Sequence, residues 1–456
     1  SLATLTWEFN FDGLSADTEV FFAFCFPHSF AQCQSWLSSI ESAFPFASSE
    51  TPSTTSSSSS AGAATATASS ATYVCRETLA TSIEGRPIEM LTISSHDGMG
   101  AACDAGIGEG KARRFPGKPI VFVSARVHPG ETPASFILMG LVDLALAQRA
   151  AGGAGDAAGA ARLADALCAA RFRQHFVLKV VPMLNPDGVA KGHYRNNVRG
   201  ENLNRVYAAP DAALHPAVHA VRHAMETWTA RGENVALYVD LHAHSKKRGC
   251  FVYGNHLASV AEQIENVLYA KLVSLCTPHF DFGGSQFSES NMDRADRKQQ
   301  SKSGSGRVGL FRATGLIRCY TLEANYNCGR LANALSVATL ADAAAQRAPP
   351  VDVLLTIAPP AEEKERVDGE GGAAAPPAAP RLGGARRASA LSAQAQKKAT
   401  AAKKSRNGPS RGRGGGGKER SDDGRLKLPA VAAVQNPPYG PGEWGACGRG
   451  LLLACL

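Results

Sequence analysis

The chain has 456 residues, of which 44% are apolar, and a formal net charge of +8. This apolar content is typical of a globular protein and excludes a wholly disordered chain. No uninterrupted apolar run reaches about 18 residues, so the sequence predicts no membrane-spanning helix.

Most of the positive charge lies in one segment. Residues 381–427 contain 14 Lys and Arg against 3 Asp and Glu, a net charge of +11. The other 409 residues therefore sum to 8 − 11 = −3. The body of the chain is not basic, and segment 381–427 has no aromatic side chains between its cations on which bases would stack. We expect no nucleic-acid partner.

The eleven cysteines are scattered along the chain and form no CxxC pair. This pattern predicts neither a disulfide framework nor a thiolate zinc site, and it favours a reducing compartment. We expect a cytoplasmic monomer, with the cytoskeleton and the nucleus as alternative locations.

The first part of the chain predicts little packed structure. Residues 7–10 and 20–26 are short apolar and aromatic runs typical of strands, on either side of a turn-like segment. Residues 31–46 predict a helix with one apolar face. Residues 47–72 are almost all Ser, Thr and Ala, a composition that cannot bury a core, and they predict a disordered loop.

Beyond Tyr73, predicted strands and helices alternate. Residues 119–127 and 175–184 are near-continuous apolar runs, as expected for strands buried on both faces. Thr132 is expected to cap the helix that follows the first of these, with Pro133 in its first turn. The remaining predictions are strands at 87–94, 236–242, 249–254 and 316–324, helices at 133–149, 161–172 and 256–276, and a Gly/Ala linker at 151–160.

This alternation predicts an α/β fold, with a mixed, mostly parallel sheet and helices on both faces. In such sheets the ligand site lies beyond the carboxyl ends of the strands. Four polar residues lie at or just after the predicted ends of strands: His128, Asn185, His242 and Glu323. They predict one shared site.

The last third of the chain contains a second low-complexity region. Residues 330–436 are rich in Ala, Pro and Gly and then become basic, which predicts a long disordered insertion. The final LLLACL is expected to be helical.

The motif His128-Pro-Gly-Glu131 is a candidate metal site. A His and a carboxylate three residues apart in a tight turn can bind one ion, and catalytic zinc commonly has two His, one Glu and an open position. His242, which directly follows an apolar run, is the preferred third ligand. His244, two residues on, is an alternative ligand or a supporting residue. Read singly, the turn and the histidine are equally well explained as structural features.

Glu323 ends an apolar run, where a carboxylate is costly to bury unless it is paired or functional. Beside zinc it can act as a general base, although an ordinary salt bridge also explains an isolated Glu. After Asn185 come Arg195, Asn204 and Arg205, and Arg binds a carboxylate with a bidentate fork. This group suits an anionic substrate end, or else forms a solvated charged loop.

Together these motifs resemble the zinc metallocarboxypeptidases, and more closely the cytosolic carboxypeptidases that trim glutamates from tubulin tails. Among those, the member that removes branch-point glutamates is the most similar. The resemblance covers most of the predicted ordered chain, in the same order. The stretches that carry it are FFAFCFPHSF (21–30), RVHPGETPASF (126–136), MLNPDGVAKGHYR (183–195), GENLNRVY (200–207), DLHAHSKKRGCFVYGN (240–255), FSESNM (287–292) and GSGRVGLFRATGLIRCYTLEANYNCGR (304–330).

The resemblance implies a role for each matching residue. One zinc ion would be bound by His128, Glu131 and His242, with Glu323 as the general base. Arg195 would stabilise the oxyanion, and Asn204 with Arg205 would bind the terminal α-carboxylate of the substrate.

The resemblance also implies the zinc carboxypeptidase fold and a domain division. Residues 1–27 would be the remnant of a small β-sandwich domain, and 28–456 the catalytic domain. Where the branch-trimming members have a Tyr-Lys pair, this chain has Phe311-Arg312, and Arg318-Cys319-Tyr320 replaces His-Ser-Tyr.

The expected function is therefore the zinc-dependent removal of C-terminal or branch-point glutamates from glutamylated proteins, with acidic tubulin tails as partners. Two other functions remain open: a catalytically inactive binder of glutamylated tubulin, and a zinc amide hydrolase of small N-acyl amino acids. A glutamate side chain needs a further cation, and the sequence does not rank the candidates Lys246, Arg307, Arg312 and Arg318.

Overall fold

The structure is a computed structural model that describes residues 8–15, 17–20, 22–45, 72–148, 157–295, 299–331 and 437–456. All of them belong to one unit, Ser1–Ala341 with Ala432–Leu456. The predicted loop at 47–72, apart from Thr72, and the predicted insertion at 330–436, apart from its first two residues, lie outside the described residues.

A mixed sheet of seven strands forms the centre of the described chain, in the order β1-β2-β4-β3-β5-β7-β6. The four strands β4, β3, β5 and β7 are parallel, whereas β1, β2 and β6 join by antiparallel pairing. The predicted α/β class with a mixed, mostly parallel sheet is confirmed. The strands are β1 Thr72–Thr81, β2 Pro87–Ser95, β3 Ile120–Ala125, β4 Val177–Val181, β5 Val235–His244, β6 Cys250–Tyr253 and β7 Cys319–Asn325.

Helices cover both faces of this sheet. They are α1 Phe30–Ala43, α2 Pro133–Ala145, α3 Ala157–His175, α4 Pro186–Ala190, α5 Pro216–Ala230, α6 Val260–Cys276, α7 Ser290–Asp293, α8 Gly306–Thr314 and α9 Pro441–Leu453. No helix among the described residues is both long and apolar enough to cross a bilayer.

Strand β3 shows why its sequence is apolar throughout. Its odd-numbered residues Val121 and Val123 belong to a core shared with α1, α2, α6 and α9. Its even-numbered residues Ile120 and Phe122 belong to the opposite core, shared with α5 and α8. Because successive side chains of a strand point to opposite faces, a strand between two helical layers must be apolar at both sets of positions.

Some predicted boundaries are wrong. The strands expected at 7–10 and 20–26 are absent from the described residues there, so the predicted β-sandwich remnant contains no described strand. A strand needs a partner strand, and this segment instead packs ring against ring: Phe24 on Tyr326 at 5.1 Å and Phe26 on Trp444 at 5.9 Å.

The region around α2 and α3 also differs from prediction. Thr132 makes no capping hydrogen bond, because its own backbone is already helical (φ −61°, ψ −30°), whereas a capping residue is extended. Pro133 does begin α2 as expected. Residues 157–160, predicted as linker, are the first turn of α3. The helices α5 and α8 were not predicted.

Candidate functional site

The loop between β3 and α2 brings His128 and Glu131 to the carboxyl end of the sheet. Arg126, the first residue of this loop, has a left-handed backbone (φ 60°), which costs a non-glycine residue about 1–2 kcal/mol. Gly130 lies so close to the next loop that a Cβ there would be 2.8 Å from the carbonyl oxygen of Tyr194. A glycine at this position lets the loop reach the one that carries Arg195.

Three buried side chains converge here. His128, Glu131 and His242 each offer a ligand atom, and these atoms lie within 4.8 Å of one another. The carboxylate of Glu131 is 2.8 Å from Nδ1 of His128 and 2.9 Å from Nδ1 of His242. The two Nδ1 atoms are 3.1 Å apart. The sequence-predicted trio therefore meets at one point.

The other nitrogen of each imidazole has its own polar partner. Nε2 of His128 is 3.0 Å from Oδ1 of Asn202, and Nε2 of His242 is 2.7 Å from Oδ2 of Asp240. Each Nε2–H can thus donate to an oxygen, which leaves Nδ1 of both rings facing the carboxylate of Glu131 and able to bind a metal ion when it carries no proton. Catalytic zinc sites commonly consist of two imidazoles and one carboxylate, with each imidazole oriented by a hydrogen bond from its other nitrogen. These residues therefore fit a metal ion.

The ionisation of the trio follows from its packing. Burial lowers the pKa of His128. Burial has the same effect on His242, but the carboxylates of Asp240 and Glu131 outweigh it and raise its pKa well above the usual value. Burial opposes ionisation of Glu131, yet the two imidazoles lower its pKa well below the usual range. Glu131 is therefore a carboxylate at neutral pH.

Glu323 lies directly beside the trio. It is paired in register with His242 on the neighbouring parallel strand, so both side chains point to the same face of the sheet. Burial and the nearby carboxylate of Glu131 raise the pKa of Glu323 to about 8, against the opposing effect of His242 and Arg195. An added cation would favour its ionised form.

All seven predicted site residues line one cavity of about 210 Å³: His128, Glu131, Arg195, Asn204, Arg205, His242 and Glu323. Nη1 of Arg195 lies 3.5 Å from both Glu131 and His128, at the edge of the trio. The amide oxygen of Asn204 accepts from the backbone N–H of Gly306 at 2.9 Å, which fixes the orientation of this side chain.

Two other predicted candidates have structural roles. The side chain of Asn185 accepts from the N–H of Gly188 at 3.0 Å and caps α4, away from the cavity. His244 lines the cavity but is outside the ligand trio, because its Nδ1 accepts from the backbone N–H groups of Lys246 and Lys247.

The structure separates the four candidate cations for a substrate side chain. Arg307 alone among them lines the cavity. Arg312 is exposed and pairs with Asp293 at 2.9 Å. Arg318 lies just before the first residue of β7 and pairs with Glu265 of α6. Lys246 is exposed and does not line the cavity. Phe311 packs into the core rather than into the cavity.

Several residues that line the cavity were not predicted from the sequence, notably Lys302 and Tyr253. Lys302 donates to Oδ1 of Asn291 at 2.8 Å and lies 5.3 Å from the ring centre of Tyr253. Burial, then the charges of Arg307 and Arg205, lower its pKa. A single lysine in a Gly/Ser-rich segment does not by itself indicate a binding site. Asp240 was also missed, although its position two residues before His242 on a strand puts both on one face.

Comparison with known proteins agrees with this geometry. The zinc carboxypeptidase family profile matches residues 63–274. The human cytosolic carboxypeptidase-like protein 5 is 35% identical, in a match that covers 74% of this chain and 45% of that protein. Human cytosolic carboxypeptidase 6 is 28% identical, over 67% of this chain and 48% of that protein. The chain belongs to the cytosolic carboxypeptidase family.

This family member spans about half the length of the relatives that it matches. A putative carboxypeptidase from Burkholderia mallei is among the similar solved structures, with a TM-score of 0.45 and 21% identity over 66% of this chain and 60% of that chain.

Proposed function

We propose that this protein is a zinc-dependent carboxypeptidase that removes terminal glutamates from acidic, polyglutamylated protein tails such as those of tubulin. The observation that carries the proposal is a single cavity that contains a His-Glu-His ligand trio, a carboxylate beside it, and four cationic side chains. The ligand trio suits hydrolysis of an amide, and the cations suit a substrate end with more than one negative charge.

The metal would be held by His128, Glu131 and His242. When bound, zinc supplies Lewis acidity, polarising a carbonyl oxygen and lowering the pKa of a coordinated water to about 7. Asp240 and Asn202 keep the two imidazoles in the tautomer that offers Nδ1.

Glu323 is the proposed general base. Its carboxylate lies across the pair of strands from His242, accepts a proton from the attacking water, and returns it to the leaving amine. Burial raises its pKa in the metal-free chain, and a bound cation would lower that pKa again, which leaves the carboxylate free to accept a proton.

The polar and cationic side chains around the trio are proposed to bind different parts of the substrate. Arg195, at the edge of the trio, is proposed to donate to the oxyanion that develops on the scissile carbonyl. Asn204 and Arg205 are proposed to bind the terminal α-carboxylate, which only a chain end offers. This pair would make the enzyme a carboxypeptidase rather than an endopeptidase.

Selection of glutamate is assigned to Lys302 and Arg307. Arg307 is buried, and its guanidinium donates to the carbonyl oxygen of Gly254 at 2.6 Å and to Oδ1 of Asn255 at 2.7 Å. It is thus a fixed positive charge in the wall of the cavity. Lys302, whose ammonium is held by the amide of Asn291, has no carboxylate within salt-bridge distance among the described residues. A glutamate side chain entering the cavity would meet both charges.

The relatives are named cytosolic carboxypeptidases, which supports a cytoplasmic location. The preference between branch-point and linear glutamates is part of the test. Purified protein loaded with zinc is incubated with tubulin-tail peptides that end in a linear or a branched glutamate, and the products are weighed by mass spectrometry.

We expect the loss of one or more glutamates from at least one peptide, and no loss with Glu323→Gln. Folded, zinc-loaded protein that binds the peptides without cleaving them would make it an inactive binder. Cleavage of small N-acyl amino acids alone would make it an amide hydrolase. Either result overturns the proposed reaction.

A further inference from the structure

Arg126 has an unusual environment for an arginine. It is 2% exposed, and its pKa is lowered to about 10, chiefly by burial. No carboxylate forms a salt bridge with it among the described residues. A buried guanidinium without an anionic partner is costly, so its hydrogen bonds must determine why it is there.

Those hydrogen bonds converge on the metal-ligand loop. Nε and Nη2 both donate to the carbonyl oxygen of Pro129, at 3.0 and 2.6 Å. Nη1 donates to Oγ of Ser135, in the first turn of α2, at 2.8 Å. The guanidinium therefore connects Pro129, the residue directly after His128, to the first turn of the helix that follows Glu131.

The backbone of Arg126 adds a second constraint. Its left-handed φ of 60° occurs directly after the end of β3, and its side chain donates back to the loop at the carbonyl oxygen of Pro129. A non-glycine residue keeps this conformation only where its surroundings fix it, and such residues cluster at functional sites. The strained backbone and the forked side chain act on the same four-residue turn.

The remaining bond leads outside the loop. Nη1 also donates to the carbonyl oxygen of His28 at 3.0 Å. The segment just before His28 also contacts the chain beyond β7, where Sγ of Cys25 donates to the carbonyl oxygen of Tyr326, three residues after Glu323, at 3.7 Å. Arg126 thus ties the ligand loop to a segment that also contacts the end of β7.

We infer that Arg126 is a positioning residue, which holds the His128–Glu131 turn in its ligating geometry through the carbonyl oxygen of Pro129. This inference rests on the proposed zinc site. It concerns metal affinity and coordination geometry, both of which can be measured without any peptide substrate.

The test compares Arg126→Lys with Arg173→Lys. Arg173, on α3, is a matched control: it is also buried and donates to backbone carbonyl oxygens, those of Ala145 and Ala147 at the end of α2, but it does not line the cavity. Zinc affinity is measured by competition with a chelator, and the coordination geometry by the visible absorption of the cobalt-substituted protein.

We expect Arg126→Lys to bind zinc at least about 10-fold more weakly and to change the cobalt spectrum, as losses behind metal ligands do. Arg173→Lys should leave both unchanged. Equal zinc affinity and an equal spectrum in folded Arg126→Lys, or the same change in both variants, would overturn the inference.

If Arg126→Lys does not fold, Ser135→Ala removes a single acceptor of the fork and should weaken zinc binding by a smaller factor; unchanged affinity there overturns the inference as well. Wild-type protein that binds zinc but releases no glutamate contradicts only the proposed reaction. Wild-type protein that binds no zinc contradicts both.

Discussion

The carboxylate of Asp240 lies 2.7 Å from Nε2 of His242, two residues along the same strand. Its other oxygen accepts from Oγ of Ser124 on β3 at 2.9 Å, so the carboxylate is fixed from both sides. The imidazole can then turn only its Nδ1 toward Glu131. Asp240 therefore orients His242, the candidate metal ligand on the same face of β5.

Replacing Asp240 by Asn should therefore weaken zinc binding by roughly 10- to 100-fold, because the amide cannot accept equally well and can turn its NH₂ group toward Nε2. Competition with a chelator measures the affinity. Thermal unfolding of the metal-free protein is the control for folding. An unchanged affinity would show that the tautomer of His242 is set by another partner.

Replacing Glu323 by Gln should lower kcat by about 10²- to 10⁴-fold, because the amide cannot take the proton of the attacking water. The change is isosteric and Glu323 is outside the ligand trio, so we expect the variant to keep its zinc. Metal content and peptide turnover are measured on the same preparation. Turnover close to that of the wild type would remove Glu323 from the reaction.

Replacing Lys302 by Met should lower kcat/KM for a terminal glutamate by roughly 10- to 100-fold, the loss expected for one charge-assisted hydrogen bond. A terminal glutamine should lose much less. Arg312→Met is the control, because Arg312 is nearby and cationic but exposed and paired with Asp293 outside the cavity. A similar loss in both variants would indicate long-range attraction of acidic tails instead of contact with the side chain.

His28 should make the metal-free protein sensitive to acid. Burial, aided by the charge of Arg126, lowers the pKa of its imidazole to about 4 in the folded chain, from 6.5. Because the unfolded chain binds the proton more readily, the contribution is complete above about pH 6.5 and is lost as the pH falls toward 4. The shift corresponds to at most about 3 kcal/mol.

The measurement is the free energy of unfolding by urea, from pH 7 to pH 4, in the presence of a chelator. His28→Asn should lose less stability over this range than the wild type. Parallel pH profiles for the two proteins would mean that His28 is already accessible to protons in the folded state.

The sequence alone predicted the fold class and the candidate residues that line the cavity. The two-sided apolar runs at β3 and β4 predicted strands between helical layers, since only a strand buried on both faces needs such a composition. The spacing of His128 and Glu131, with His242 and Glu323 at the ends of apolar runs, predicted a group that the structure brings within one cavity. The sequence pattern is sufficient for this prediction because residues at the carboxyl ends of adjacent parallel strands lie at the same edge of the sheet.

Only the tertiary structure decided which residues support and flank that group. Arg307 and Arg318 are the same residue type and could not be ranked from the sequence. In the structure Arg307 lines the cavity, whereas Arg318 lies at the opposite end of the sheet. Lys302 and Asp240 became visible as parts of the site only through contacts with residues brought close by folding. Strand order and the register of β5 against β7 fix these contacts, and they depend on packing between segments far apart in the chain.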